Sequence, residues 1–334
     1  MRPLVAANPL GPNFIVRMDV MLLHLGRALR FGSFLSLSVL ALSWAAPAMA
    51  QVKLEHKFVE GQKTVTHTTM KIKQTLTLAG MGLDTDSDRF VISSTQVGKR
   101  DADGKLRVEH QTDKLTVTLK LPGGIDVSFD SDDPNKKADN PALEPLMQLL
   151  RASAKAKITL VSDQSGKVVA VEGLDKAAEG LPEELRGEFD PENTKKTANQ
   201  ELANLPSDPV KPGDTWTRMA DLPLGSGQIM SMTTEYKYVG EVKEGDKTFD
   251  KVESKTTAVS FSIAADSKLP LKVTKSELKP TESTETKLFD RAAGQWHSAK
   301  GKIRIQGELG FEINGTPLPG KLDLTIESEV VRQP

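Results

Sequence analysis

Met70-Lys71-Ile72-Lys73-Gln74-Thr75-Leu76-Thr77-Leu78 decides the fold. Met70, Ile72, Leu76 and Leu78 share one parity, while Lys71, Lys73, Thr75 and Thr77 share the other. A period of two puts the apolar set on one face of a β-strand and the polar set on the opposite face. The same texture spreads outward in both directions. Phe90 and Ile92 open a further strand, and Ile125, Val127 and Phe129 continue the alternation after the turn at Pro122-Gly123-Gly124. Leu106 and Val108 are even, whereas Leu115, Val117, Leu119 and Leu121 are odd. A one-residue slip turns every side chain over, so a bulge or break must fall within His110 to Lys114.

Helical spacing interrupts this pattern in the middle of the chain. Asn140 suits an N-cap with Pro141 at the first helical position. Leu143, Leu146, Met147 and Leu150 then form one apolar stripe, with Leu149 beside it. Ile158, Leu160, Val168, Val169 and Val171 around Asp163-Gln164-Ser165-Gly166 read as a hairpin. The charged stretch from Leu174 to Leu205, punctuated by Pro182 and Pro191, reads as two or three short helices.

Strands then return to the end of the chain. They are marked by Met230, Met232, Tyr236 and Tyr238; by Val259, Phe261 and Ile263; by Leu269, Leu271 and Val273; by Ile303, Ile305, Leu309 and Phe311 up to Asn314-Gly315; and by Leu322, Leu324, Ile326 and Val330. Long runs with one polar face imply an antiparallel sheet wetted on one side. A sheet of that size twists and curls. The expected fold class is therefore α+β: long antiparallel strands in a strongly curved, half-barrel-like sheet with a few central helices packed on it. Residues 51–334 should form a single β-rich domain of two lobes, 51–205 and 206–334.

The first 50 residues carry an address. Arg27 and Arg30 precede an apolar run from Phe31 to Trp44, and Ala48-Met49-Ala50 fits the small-x-small cleavage rule. Cleavage is expected between Ala50 and Gln51. The run is short for a bilayer span, and no later stretch is apolar for long enough. Met18 or Met21 would start a leader of ordinary length, so the polar first 17 residues read as an over-extended start. The expected product is secreted or periplasmic and soluble. The chain has no cysteine. That excludes disulfides, thiol catalysis, Cys-ligated metals and a lipoprotein anchor on an N-terminal cysteine. A formal net charge of −1 offers no field to gather nucleic acid.

Three stretches resemble a known family. They are Asn204-Leu205-Pro206 with Pro209-Val210-Lys211-Pro212-Gly213-Asp214-Thr215-Trp216; Tyr236-Lys237-Tyr238-Val239-Gly240 before Gly245-Asp246-Lys247; and Phe289-Asp290 with Gly294-Gln295-Trp296. Together with the leader, they are similar to a family of uncharacterised secreted bacterial proteins, a domain of unknown function, over most of residues 51–334. No activity comes with that resemblance. At the level of fold, long curved strands with helices on the concave side are similar to periplasmic half-barrel carriers of lipoproteins and lipids, a likeness that does not itself confer function. Pro212-Gly213 also has a plain reading as a turn after which Trp216 buries its ring.

Motifs for chemistry are weak. Asp84, Asp86 and Asp88 have the spacing of a calcium-loop start, but Arg89 stands where the loop needs Gly and Thr95 where it needs Glu. A solvated turn is the better reading, as it is for Asp130, Asp132 and Asp133. His56, His67, His110 and His297 are far apart in sequence and suit surface or core positions better than a metal site. No nucleophile elbow occurs, and Gly80-Met81-Gly82 and Gly225-Ser226-Gly227 lack the rest of a dinucleotide loop. No catalytic, cofactor-binding or metal residue is therefore assigned, and no cofactor is expected. Met219, Met230 and Met232 with Leu143, Leu146, Met147 and Leu150 are candidates to line an acyl-chain cavity, although ordinary core suits them better. The expected function is that of an exported, non-catalytic envelope protein that binds a lipid or other hydrophobic ligand, or meets an envelope protein. The alternatives are a structural or interaction protein without a small ligand and, less favoured, a hydrolase.

Overall fold

A computed structural model describes residues 51–333 except 139, 225, 266 and 268. The expected leader and its cleavage site lie outside the described residues. Twelve strands form one sheet: β1 (Lys63–Leu78), β2 (Met81–Arg100), β3 (Leu106–Leu121), β4 (Ile125–Asp130), β5 (Lys157–Ser162), β6 (Val168–Glu172), β7 (Thr215–Pro223), β8 (Gln228–Glu244), β9 (Lys247–Ile263), β10 (Lys272–Asp290), β11 (Gln295–Ile313) and β12 (Thr316–Gln333). Their order is β6-β5-β3-β2-β1-β12-β11-β10-β9-β8-β7, with β4 also paired to β3. Each pairing is antiparallel, and β1 joins the early strands to the late ones by pairing with β12. The sheet is not closed, and helices are few.

Two-residue turns set the hairpin registers. Ala79 and Gly80 both have positive φ, at 48° and 84°, as do Asn314 and Gly315 at 50° and 79°. Such turns match the right-handed twist of the strands they join. The first explains why β2 begins at Met81 rather than near Phe90. The expected parity change in β3 is a bulge at Asp113, since Ile92 faces Lys114 while Ser93 faces Thr112. It lets Leu106 and Val108 share a buried face with Leu115, Val117 and Leu119.

Asn140 accepts a 3.0 Å hydrogen bond from Ala142 N and caps a 3₁₀ turn, Pro141–Leu143. The turn runs into α1 (Glu144–Lys155). Leu146, Met147, Leu149 and Leu150 of α1 pack on Leu115, Val117 and Leu119 of β3 and Phe129 of β4. The charged stretch forms α2 (Leu174–Ala177), α3 (Glu183–Arg186), a 3₁₀ turn and α4 (Pro191–Leu202). Asp190 caps α4 by accepting from Glu192 N at 2.9 Å.

Both edge strands meet α4. The Asn199 side chain donates to Val168 O at 2.8 Å and accepts from Val168 N at 2.9 Å, so it acts as a strand partner for β6. Lys196 Nζ reaches Asp221 of β7 at 2.7 Å. Just beyond the helix, Arg218 of β7 donates to Ala203 O and Leu205 O, and Trp216 Nε1 donates to Asn204 O.

A second apolar cluster fills the end of the sheet where β1 meets its turn, around Leu76, Leu222, Phe261, Ile305 and Leu324. A third joins Leu54, Tyr236, Tyr238, Val252 and Phe289 at the opposite end. There Asp250 is 1% exposed. Its carboxylate accepts from the Tyr238 hydroxyl at 2.7 Å and is paired with Arg291, as a buried charge requires. Truncating Leu150→Ala should lower the unfolding free energy by about 2–5 kcal/mol. Urea denaturation should show this, and a loss under about 1 kcal/mol would contradict the packing of α1 on β3.

Candidate functional site

A cavity of about 440 Å³ lies against one face of the sheet. Cross-strand rows explain why it exists. Ile72 faces Ile326, which faces Ile303, and this aliphatic row borders the packed cluster. One row further, Met70 faces Ser328, which faces Gly301; beyond it Thr68 faces Val330, which faces Ala299. Thr66 then faces Arg332. Small and hydroxyl side chains occupy the middle rows, so the facing strands cannot fill the space between them. Across the cavity stand Thr234, Ser254, Thr256 and Ser283, and α4 adds Ala198 and Leu202.

The segment before β1 borders one end of this space. Val52 and Val210 exchange two 2.8 Å backbone hydrogen bonds, and Lys57 N donates to Gly294 O at 3.0 Å. Between these anchors Leu54 enters the core and His56 lines the cavity, as does Phe58 just after them. His56 stands edge-on to Phe289, with ring centres 5.9 Å apart.

Polar contacts pattern the cavity. Lys287 is nearly enclosed, with its ammonium 3.2 Å from Glu285 and over the rings of Tyr236 and Trp296 at 5.8 and 5.6 Å. Glu285 also accepts from Ser254 at 2.7 Å. His110 Nδ1 lies 3.0 Å from Thr95 Oγ1. The buried Nε2 of His56 has no hydrogen-bond partner among the described residues. Burial pulls the His56 pKa down to about 4, against a backbone hydrogen bond to Gly294 that acts in the opposite direction. Burial also pushes the Tyr236 hydroxyl well above its ordinary value, and that oxygen has no hydrogen-bond partner either. Of these groups His56, His110, Ser254, Glu285 and Lys287 line the cavity and can bind and orient a guest, whereas Tyr236 is core.

The residues singled out in the sequence are dispersed. Asp84, Asp86 and Asp88 sit not on a turn but along the exposed face of β2, where Asp84 accepts from Thr75 at 2.6 Å. The short turn at Ala79-Gly80 starts the strand early enough to include them. Asp130, Asp132 and Asp133 do border a turn, and the first two are paired with Lys114. No group of three or more metal-ligating residues comes together among the described residues. Of the histidines, only His56 and His110 line the cavity; His67 stands edge-on to Phe90 and His297 stacks on Phe249.

Of the expected lining residues, Met232 borders the cavity and Met230 is core. Met219 is 48% exposed on β7, where its parity turns it to solvent. Leu143, Leu146, Met147 and Leu150 are core against β3 and β4. The signal missed was the hydroxyl run Thr64, Thr66 and Thr68, which continues the parity of Met70. Trp216 stacks on Tyr236 at 5.5 Å, as its structural reading required, after a turn in which Gly213 takes φ 98°.

The depressed His56 pKa has a thermodynamic sign. The unfolded ring takes up a proton near pH 6.5 and the folded one only near pH 4, so the stabilising contribution is full above pH 6.5 and is lost as pH falls towards 4. Denaturant titrations at pH 7 and pH 4.5 should therefore show a smaller acid loss in His56→Gln than in the wild type. Equal losses would contradict the burial of a neutral His56.

The resemblance seen in the sequence is narrower than expected. Residues 103–262 match the family of unknown function DUF6263, a span that includes two of the three quoted stretches. No curated protein matches the chain. Among solved structures, one of lipovitellin, concerned with its lipid–protein interactions, is 10% identical with a TM-score of 0.38; the match covers 83% of this chain and 26% of lipovitellin's. DynF from the dynemicin biosynthesis pathway of Micromonospora chersina is 9% identical, with a TM-score of 0.20 over 91% of this chain and 94% of its own. A DUF1329 family protein from Desulfovibrio piger is 8% identical, with a TM-score of 0.13 over 79% of this chain and 84% of its own. The chain is thus similar, through residues 103–262, to a family whose function is unknown.

Proposed function

We propose that this chain is an exported, non-catalytic envelope protein that holds a lipid or other hydrophobic ligand inside a strongly curved sheet. The observation that carries the reading is the cavity of about 440 Å³. Its volume falls in the usual range for small-molecule sites, about 300–1,000 Å³. Residues of β1, β2, β3, β5, β6 and β8 through β12 line that one space. Strands so far apart in the sheet order reach one cavity when the sheet wraps around it. The grip of α4 on β6 and β7 supports the same curvature. Among the described residues no helix is long and apolar enough to cross a membrane. Export rests on the basic-then-apolar leader ending at Ala50.

The test is chemical. Protein purified natively from the exported fraction should carry acyl lipid into an organic extract, visible by mass spectrometry. Ser328→Trp places a large ring in a middle row and should remove that lipid while the circular-dichroism spectrum stays β-rich. A clean wild-type extract, or lipid retained by Ser328→Trp, would contradict the reading and favour a protein without a small ligand.

A further inference from the structure

The inner face of the sheet changes character along its strands. Inward positions on β12 run Ile326, Ser328, Val330, Arg332, while those on neighbouring β1 run Ile72, Met70, Thr68, Thr66. Six residues of extended strand separate Ile326 from Arg332, about 20 Å, which is the length scale of a long acyl chain. Along β1 and β12 the lining therefore passes from aliphatic at Ile326 to polar at Thr66 and Arg332.

The cations that line it differ in how they are held. Lys287 is paired with Glu285 at 3.2 Å and Lys302 with Glu282 at 3.1 Å. The half-buried guanidinium of Arg332 has no ion pair or hydrogen bond among the described residues. Burial pulls its pKa down, and the charge of Asp290 opposes that shift. A half-buried guanidinium without a hydrogen-bonded anion keeps unused donors, and its planar fork is suited to a carboxylate or phosphate. The adjoining hydroxyls of Thr64 and Thr66 can donate to the same oxygens.

We infer that the cavity takes an amphiphile with a single anionic head, carboxylate or phosphate, set against Arg332, and with its tail laid along Val330 and Ser328 towards Met70, Ile326 and Ile303. This inference rests on the reading of the cavity as a hydrophobic-ligand site, and it adds the charge and direction of the guest.

Calorimetric titration of the delipidated protein with oleate, oleyl alcohol and inorganic phosphate separates the possibilities. Oleate should bind more tightly than oleyl alcohol by about tenfold, the factor expected for one hydrogen-bonded charge contact. Arg332→Gln should weaken oleate by about the same factor, leave oleyl alcohol unchanged, and be largely rescued by Arg332→Lys. Equal affinity for the two probes, or an Arg332→Gln protein that holds oleate as well as the wild type, would overturn the anionic head and leave the cavity reading standing. Displacement of oleate by millimolar phosphate would reveal a free-ion site and overturn the amphiphile. If neither long-chain probe binds, the cavity reading falls, and this inference falls with it.

Discussion

The hold of α4 on both open edges of the sheet is the constraint on which the rest depends. Exposed strand edges carry unpaired backbone groups that invite association with other chains, and proteins cover them. Here one helix and the turn after it cover both. The Asn199 amide completes the ladder of β6, while Arg218 and Trp216 of β7 clasp the carbonyls that follow the helix. A helix of 12 residues is about 18 Å long. Eleven strands in a flat row would set the edges about 50 Å apart at ordinary strand spacing. Both edges can reach the same helix only if the sheet bends, and that is the physical basis of the curved-sheet proposal.

Bending alone does not make a cavity. Where inward rows carry Leu, Ile and Phe, the enclosed space fills, as it does around Leu76, Ile305 and Phe311. Where they carry Thr, Ser, Gly and Ala, it stays open. The two meet at the rows of Ile72 and Met70, where Met70 and Ile326 belong to the packed cluster and also line the cavity. One sheet thus supplies a packed cluster and a cavity, and the difference is set by side-chain volume at fixed parity. The interleaved hydroxyls are partly satisfied among themselves, as Thr234 with Thr256 at 3.2 Å shows. A guest can then displace water from this lining without stranding every polar group.

Much of the fold was legible in the sequence because period-two burial is a local signal. The parity reversal between Val108 and Leu115 predicted a bulge before any coordinates, and Asn140-Pro141 marked the start of the first helical region. The edges of the sheet were not legible. Pairing of β1 with β12 joins Met70 to Ser328, and no local pattern encodes so distant a partner. The site was hidden for the same reason. Apolar residues drew attention to Leu146 and Met147, yet helical stripes that match a sheet face are consumed as core. Cavity walls are marked instead by missing volume, and a row of threonines reads as solvent-facing until the strand opposite is known. His56 was visible only as one of four scattered histidines and Arg332 gave no signal, since the two reach one cavity from opposite ends of the described chain.

The distance between the two edges tests the account most directly. The chain has no cysteine, so Val169→Cys on β6 and Met219→Cys on β7, both at exposed positions, can carry paired spin labels without competing sites. Pulsed electron–electron dipolar spectroscopy should return one narrow distance of about 20–30 Å, as edges bridged by one short helix require. A broad distribution, or a distance near 50 Å, would mean that the edges lie apart in an open sheet, with no enclosed chamber between them.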